Sequence, residues 1–306
     1  MGSGRFDSNA YASYSANIAS KSVDDIYKTR TASAVLTGAA KHLNPHGVKI
    51  RESRDSIDNP NSTAIIVGVD VTGSMGMLAE KIAKHGLGTL FNEILSRKPV
   101  TDPHLMFMAI GDARSDQVPL QVSQFEADNR IVDQLTDIYI EGDGGGNQTE
   151  SYDLPWYFAG LHTSIDCLEK RNKKGYLFTL GDESVPAGLT KDHLKRFIGD
   201  DVERDYSAAE LLQLAQRMYH VFHLVVQEGS YSDRFLPAWR KVLGERALLL
   251  SDHTKLGEVI VSTIQINEGA DVDAVVNSWD GSTALVVRTA TSALAKGTDT
   301  GGAVRV

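Results

Sequence analysis

V-G-V-D-V-T-G-S-M-G, residues 67–76, joins a wholly apolar run to a turn that is rich in oxygen ligands. The run ends on the carboxylate of Asp70, and two hydroxyl residues, Thr72 and Ser74, follow on either side of Gly73. Three hard oxygen donors around one point suit a small divalent cation such as Mg2+. Open α/β sheets hold their ligands at the carboxyl ends of buried strands, so the stretch predicts a metal site on a sheet of this class.

The composition of the chain narrows the classes of protein to which it can belong. Its 306 residues are 42% hydrophobic, enough for a large core, and the net charge of −9 gives no basic face for nucleic acid. No apolar stretch approaches the roughly 18 residues of a membrane span, and the amino terminus has no apolar secretion signal. The single cysteine, Cys167, excludes a disulfide within the chain. We therefore expect a cytoplasmic protein that binds neither nucleic acid nor membrane.

Apolar runs and helical patterns alternate along most of the chain. Strands are predicted over residues 63–69, 105–110, 119–122, 137–140, 176–180, 221–226 and 247–250. Helices are predicted over residues 22–43, 78–95, 125–135, 152–169, 211–218, 235–243, 255–266 and 272–294, with another beginning near residue 190. This alternation implies right-handed crossovers, and strands that are apolar throughout are covered on both faces. The predicted fold class is α/β, a doubly wound, mostly parallel sheet with helices on both faces.

Breaks in this pattern divide the chain into three parts. Residues 1–60 are predicted to hold an N-terminal arm, a helix and a polar linker, because residues 51–61 are punctuated by proline and asparagine. Residues 61–267 are predicted to form the α/β domain. Residues 268–306 are predicted to form a C-terminal helical appendage that ends in a disordered tail.

Three loops near strand ends carry oxygen ligands, and the predicted fold brings strand ends together. The loops span residues 70–74 (D-V-T-G-S), 144–150 (G-G-G-N-Q-T-E) and 181–184 (G-D-E-S). The carboxyl ends of parallel strands share one edge of a sheet, so these loops can converge there. Gly73 lets the backbone fold back so that both hydroxyls face the side of the carboxylate, and the triple glycine lets the second loop approach.

The three motifs together resemble a known family. D-V-T-G-S is similar to the D-x-S-x-S metal-ion-dependent adhesion site of von Willebrand factor type A domains, with Thr72 in place of the first serine. G-G-G-N resembles that family's second ligand loop, and L-G-D at 180–182 resembles its last acidic strand end. The resemblance covers residues 60–265 and implies a Rossmann-like fold. It implies that Thr72 and Ser74 bind the metal directly and that Asp70 and Asp182 act through water. The middle ligand aligns with Asn147, with Thr149 as the second choice.

The chemistry that this resemblance implies is adhesion rather than catalysis. An Mg2+ or Mn2+ ion that is held mostly by neutral hydroxyls keeps much of its charge and has an open position for the acidic residue of a partner protein. Intracellular members of the family resemble subunits of larger assemblies, some of which work with AAA+ ATPases. Neither Thr72 nor Ser74 has an evident base beside it that would make it a nucleophile, so no catalytic residue is assigned.

Two other interpretations of the Asp70 turn stay open at this point. Thr72 and Ser74 are ordinary helix N-cap residues, so the turn could be only a helix start. D-V-T-G-S also resembles the D-K-T-G-T motif of haloacid-dehalogenase-like phosphoryl transferases, in which Asp70 would be an aspartyl nucleophile. The second acid of that motif is missing, and the early helix leaves no room for the family's insert. Asp112, which also follows a strand, is either a supporting residue of the site or a solvated turn acid.

Overall fold

The computed structural model describes residues 31–73, 75, 87–140, 149–227 and 232–294. A central six-stranded sheet positions the candidate site. Its strands are β2 (Thr63–Asp70), β3 (Pro103–Ile110), β4 (Leu120–Val122), β6 (Gly175–Gly181), β9 (Tyr219–Val226) and β10 (Ala247–Leu250). They lie side by side in the order β4-β3-β2-β6-β9-β10, and every neighbouring pair is parallel except the antiparallel edge pair β3–β4. This is the doubly wound order, in which the chain changes direction between β2 and β6.

Helices cover both faces of this sheet, as the apolar strands predict. They are α1 (Ala32–Leu36), α2 (Leu87–Arg97), α3 (Arg130–Thr136), α4 (Asp153–Leu161), α5 (Asp166–Arg171), α6 (Lys191–Phe197), α7 (Ala208–Met218), α8 (Ser232–Leu243), α9 (Leu256–Asn267), α10 (Val272–Asn277) and α11 (Gly281–Thr291). Successive residues of a strand point to opposite faces, so β2 contributes Ile65 and Val67 to one core and Ala64 and Ile66 to the other. The first core includes α2 and α9, and the second includes α4, α7 and α8. The predicted fold class is confirmed.

The prediction of one continuous helix over residues 152–169 is wrong. The segment is interrupted by a short strand, β5 (Thr163–Ile165), which pairs in parallel with β1 (Arg51–Ser53) in the region predicted to be a linker. The Thr163 hydroxyl donates to the carbonyl of Ala159 at 2.6 Å, and its partner on the other side is the hydroxyl of Tyr219 at 2.7 Å. These contacts and the β-branched residues of β5 end the helix at Leu161.

Other predicted elements also differ from the structure. The helix predicted over residues 22–43 lies partly outside the described residues, and its described part is the short helix α1 followed by a 3-10 helix, Lys41–Leu43. The strand predicted over residues 137–140 is absent, because the Gln121 side chain takes the place of a neighbouring strand: its amide donates to the Tyr139 carbonyl at 2.7 Å, and its oxygen accepts from the Tyr139 N–H at 2.8 Å. The helix predicted over residues 272–294 is two helices, which separate at Asp280 and Gly281, where φ is +47°.

Several smaller features complete the fold. The capping box that Ser207 and Glu210 predict is present at the start of α7. Strands β7 (Gly188–Leu189) and β8 (Tyr206–Ser207) form a separate antiparallel pair. Cys167 is a buried free thiol, and burial raises its pKa. Among the residues that the structure describes, no helix has the length and apolar character needed to cross a bilayer.

Candidate metal centre

The first part of the site is the turn that follows β2. Asp70 is fully buried, and its Oδ1 accepts hydrogen bonds from the backbone N–H of Thr72 at 2.9 Å and from the Thr72 hydroxyl at 2.7 Å. Aspartate forms such turns because its short side chain reaches the backbone two residues further on. The Thr72 hydroxyl donates its single hydrogen to Asp70, so its oxygen lone pairs face other groups. One of these groups is the Glu150 carboxyl, and its contact with Thr72 opposes part of the rise in the pKa of Glu150.

The second oxygen of Asp70 is held from a different loop. Tyr152 lies immediately before α4 and is fully buried, and its hydroxyl donates to Oδ2 of Asp70 at 2.7 Å. Burial and the nearby charges of Asp70 and Glu150 raise the pKa of Tyr152 well above its ordinary value, so the phenol stays a neutral donor. Both oxygens of Asp70 therefore accept hydrogen bonds, which fixes the orientation of its carboxylate.

The end of β6 supplies the third part of the site. Asp182, directly after β6, is fully buried, and its charge contributes to raising the pKa of Asp70. Gly181 lies between them: a Cβ there would be 2.8 Å from Oδ2 of Asp70 and would clash with the Tyr152 hydroxyl. The absence of a side chain at Gly181 thus allows these groups to approach. The point where the chain changes direction, between β2 and β6, is where doubly wound sheets bind ligands.

Several buried carboxyl groups lie close together in the site. Burial raises the pKa of Asp70 to about 6. Burial, together with the charges of Asp70, Asp112 and Asp116, raises the pKa of Glu150 to about 10. Glu150 is only 4% exposed, and among the described residues its Oε2 has no hydrogen-bond partner. Buried carboxylates are costly unless they are protonated or paired with a cation. In the absence of an ion, burial therefore favours the protonated form of Glu150, and a bound cation is the other way to offset the same cost.

Backbone and side-chain contacts tie the loop after β3 to this cluster. The Asp112 N–H donates to Oδ2 of Asp116 at 2.8 Å, and both residues are buried. Ser151, next to Glu150, accepts from the Ala113 N–H at 2.9 Å through its hydroxyl and donates its own N–H to Gly111 at 3.1 Å. Asp112 thus belongs to the surroundings of the site rather than to a solvated turn.

The structure brings together the predicted site residues that it describes. Asp70, Thr72 and Asp182 lie at one edge of the sheet, and Thr149 forms a parallel bridge with Ser184 of the third loop. Ser74, Asn147 and the triple glycine 144–146 lie outside the described residues. Within the described ranges, no group of three or more histidine, cysteine, aspartate or glutamate side chains is arranged to hold a metal ion. That finding concerns charged ligands, whereas the predicted direct ligands are neutral oxygens.

Two residues of the site had no assigned role in the sequence. Glu150 stands at the end of the glycine-rich loop, but nothing in its neighbours shows that its carboxyl turns inward. Tyr152 reads as one of several aromatic residues at a helix start, a pattern that is typical of a core position. The sequence predicted that the loops converge, but it does not show which of their side chains turn inward, because that depends on contacts between residues far apart in the chain.

Comparisons with known proteins add structural neighbours only. No protein family model matches the chain, and no curated protein matches it. Among solved structures, the chain is similar to the pilus adhesin SpaC from Lactobacillus rhamnosus GG in its open conformation, with 10% identity and a TM-score of 0.45 over 74% of this chain and 31% of the adhesin. A second SpaC structure gives 9% identity and a TM-score of 0.46 over 71% and 32%. A von Willebrand factor type A structure from Catenulispora acidiphila gives 13% identity and a TM-score of 0.38 over 69% and 44%. The chain thus spans about a third of the length of the adhesin chains.

Proposed function

We propose that this chain is a protein-interaction module that depends on Mg2+ or Mn2+, in which the ion accepts a carboxylate from a partner protein. The observation that carries the proposal is the Asp70–Thr72 pair. The Thr72 hydroxyl donates to Asp70, which leaves its oxygen lone pairs for a cation, and the buried carboxyls of Asp182 and Glu150 belong to the same site. A buried hydroxyl oxygen of this kind is the type of hard, neutral donor that Mg2+ accepts.

The donor set fits a hard divalent ion. Thr72 and Ser74 would hold it directly, with Asn147 or Thr149 as a further neutral ligand. Asp70 and Asp182 would act through bound water, as the resemblance implies, and the hydrogen bonds that Asp70 accepts at both oxygens would hold its carboxylate in place. The ion would supply a strong positive charge with an exchangeable position, which a partner's aspartate or glutamate fills.

The cellular location and the partner of this interaction are inferred only from the resemblance in the motifs. By that analogy the chain is a subunit of a larger intracellular assembly, and an AAA+ ATPase is a candidate partner. The adhesive chemistry does not depend on that setting, because it needs only an acidic residue on the surface of the partner.

The phosphoryl-transfer alternative has no observation in its favour. An aspartyl nucleophile must present a carboxylate oxygen to the substrate, whereas Asp70 is fully buried and uses both oxygens as acceptors. Beryllofluoride with Mg2+ separates the two chemistries, since an aspartyl-phosphate enzyme binds it at Asp70 and an adhesion site does not.

The test uses Mn2+ as a paramagnetic probe on the purified chain. Water-proton relaxation reports Mn2+ that is bound with exchangeable water, and glutarate serves as a simple partner carboxylate. We expect enhanced relaxation with the wild-type chain and a decrease when glutarate displaces water. Asp70→Asn should abolish the enhancement. Asp252→Asn is the matched control, because Asp252 makes the same turn with Thr254 outside the site.

Two results would contradict the proposal. A wild-type chain that gives no more enhancement than Asp70→Asn binds no ion at this site. An enhancement that glutarate leaves unchanged means that the ion does not accept an external carboxylate, and the interaction role would then be wrong even though the metal is bound.

A further inference from the structure

Tyr152 makes contacts that a core aromatic residue does not need. Its hydroxyl reaches Oδ2 of Asp70 at 2.7 Å, on the side of the carboxylate opposite to Thr72. Hydrogen bonds to ionised carboxylates are about twice as strong as those between neutral groups. One of the stronger side-chain hydrogen bonds of the chain therefore fixes Asp70, the residue that orients the candidate ligand Thr72.

The ring of Tyr152 is locked in place by its neighbours. It packs edge-on against His223 at 4.9 Å and against Trp239 at 5.5 Å between ring centroids. Trp239 is itself stacked on His223 at 3.6 Å and donates its indole N–H to the carbonyl of Glu183 at 2.9 Å. The position of the hydroxyl is thus determined by α8, β9 and the loop after β6, and not by the tyrosine alone.

Tyr152 also connects two of the three candidate loops. Its hydroxyl passes the end of β6, where only the missing side chain of Gly181 gives it room, and its N–H donates to the carbonyl of Glu150 at 3.0 Å. A rigid aromatic side chain therefore connects Glu150, at the end of the second loop, to the Asp70 carboxylate.

From this geometry we propose that Tyr152 is a positioning residue for the metal centre. It holds Asp70 in the orientation in which Oδ1 takes the hydroxyl hydrogen of Thr72, so that the Thr72 oxygen faces the ion. This inference rests on the proposed metal-binding function. Hydrogen-bond partners of this kind typically change metal affinity by about 10- to 100-fold.

The test compares two phenylalanine substitutions in the full chain. Tyr152→Phe removes the hydroxyl and keeps the ring that packs on His223 and Trp239. Tyr157→Phe is the matched control, because the hydroxyl of Tyr157, in the middle of α4, also donates to a carboxylate, Asp200, at 2.6 Å. Mn2+ affinity is measured by titration, and circular dichroism confirms that both variants fold.

We expect Tyr152→Phe to weaken Mn2+ binding about 10-fold or more and Tyr157→Phe to change it less than about twofold. A second readout is the tyrosine ultraviolet difference spectrum on addition of Mg2+. An ion near Asp70 changes the hydrogen bond to the Tyr152 phenol, so the difference band should appear in the wild type and in Tyr157→Phe and be absent from Tyr152→Phe.

The outcomes separate this inference from the proposed function. If Tyr152→Phe binds Mn2+ like the wild type while Asp70→Asn does not bind it, the positioning role is wrong and the metal site stands. If both phenylalanine variants lose affinity equally, the effect is general and the positioning role is wrong. If the wild type binds no Mn2+, both proposals fail together.

Discussion

Two turns in this chain share a sequence pattern and a hydrogen-bond geometry, yet only one lies in a candidate site. Asp70 and Asp252 each accept from the N–H and the hydroxyl of the threonine two residues further on, at 2.9 and 2.7 Å in both turns. The first turn follows the central strand β2. The second follows the edge strand β10 and caps the short 3-10 helix His253–Lys255.

The surroundings of the two turns differ more than the turns themselves. Asp70 is fully buried beside Tyr152 and Asp182, whereas Asp252 is half-buried and Thr254 is exposed. A solvated aspartate has water as its partner, whereas a buried one needs a proton or a cation. An Asp-x-Thr turn is therefore a local structure, and its place in the sheet decides whether it becomes a candidate ion site.

The largest difference is expected when the hydroxyl of each threonine is removed. Thr72→Val keeps the shape of the side chain but deletes a proposed direct ligand, and we expect Mn2+ affinity to fall about 100-fold, or about 2.7 kcal/mol. Thr254→Val should leave the affinity within about twofold, because its turn faces solvent. Mn2+ titration measures both. Equal affinities in the two variants would mean that the buried hydroxyl is not a ligand.

The next effect concerns the close packing around the buried turn. Gly181→Ala would push a Cβ against Tyr152 and Asp70, and overpacking of this kind costs about 2 kcal/mol of the free energy of unfolding. Gly244→Ala is the comparison near β10, where φ is +60° and no atom lies within 4 Å of the added Cβ. That substitution should cost only about 1 kcal/mol of backbone strain. Urea denaturation measures both, and a smaller loss in Gly181→Ala than in Gly244→Ala would show that the site is loosely packed.

The sequence predicted the class of the sheet better than the side chains around Asp70. Alternating apolar runs indicated a doubly wound, mostly parallel sheet, and Asp70 and Asp182 lie at the same edge of that sheet, as expected for the ends of parallel strands. Asp252 shows the limit of the motif, because its turn is equally visible in the sequence as D-H-T and has no predicted site around it. Only the neighbouring strands distinguish the two.

Tyr152 and Gln121 show why the contacts around Asp70 and the structure at residues 137–140 could not be predicted. Tyr152 contacts Asp70, which lies 82 positions away in the chain, and Gln121 replaces the strand expected at Tyr139 with its side-chain amide. Both are long-range contacts of single side chains. They produce no periodic pattern, so composition and spacing carry no signal for them.

A third effect tests the cost of burying the Asp70 charge. Asp70→Asn keeps an acceptor for Thr72, and its amide can donate to the Tyr152 oxygen, while the repulsion from Asp182 disappears. We expect the metal-free variant to be more stable than the wild type by about 1–2 kcal/mol at pH 7 although it has lost the ion. Thermal and urea unfolding in chelator measure this, and a less stable variant would contradict it.

The difference in stability between the wild type and Asp70→Asn should also depend on pH. The pKa of Asp70 is raised from 3.8 to about 6 in the folded chain, so between pH 4 and pH 6 the folded state binds a proton that the unfolded state has released. The stability of the wild type relative to Asp70→Asn should therefore fall as the pH rises through this window, by at most about 1.4 kcal/mol per unit, and level off above pH 6. A constant difference across the window would contradict the raised pKa.

The smallest effect belongs to the exposed turn, where the aspartate acts only as a cap. Asp252→Ala removes the acceptor for the N–H and the hydroxyl of Thr254, and losing an N-cap of this kind costs about 1 kcal/mol of the free energy of unfolding. Because no ion is proposed at β10, the Mn2+ affinity of this variant should equal that of the wild type. Urea denaturation and Mn2+ titration on the same preparation measure the two quantities. If Asp252→Ala lost Mn2+ affinity as Asp70→Asn is expected to, the ion would bind to Asp-x-Thr turns in general, and the buried edge of the sheet would have no special role.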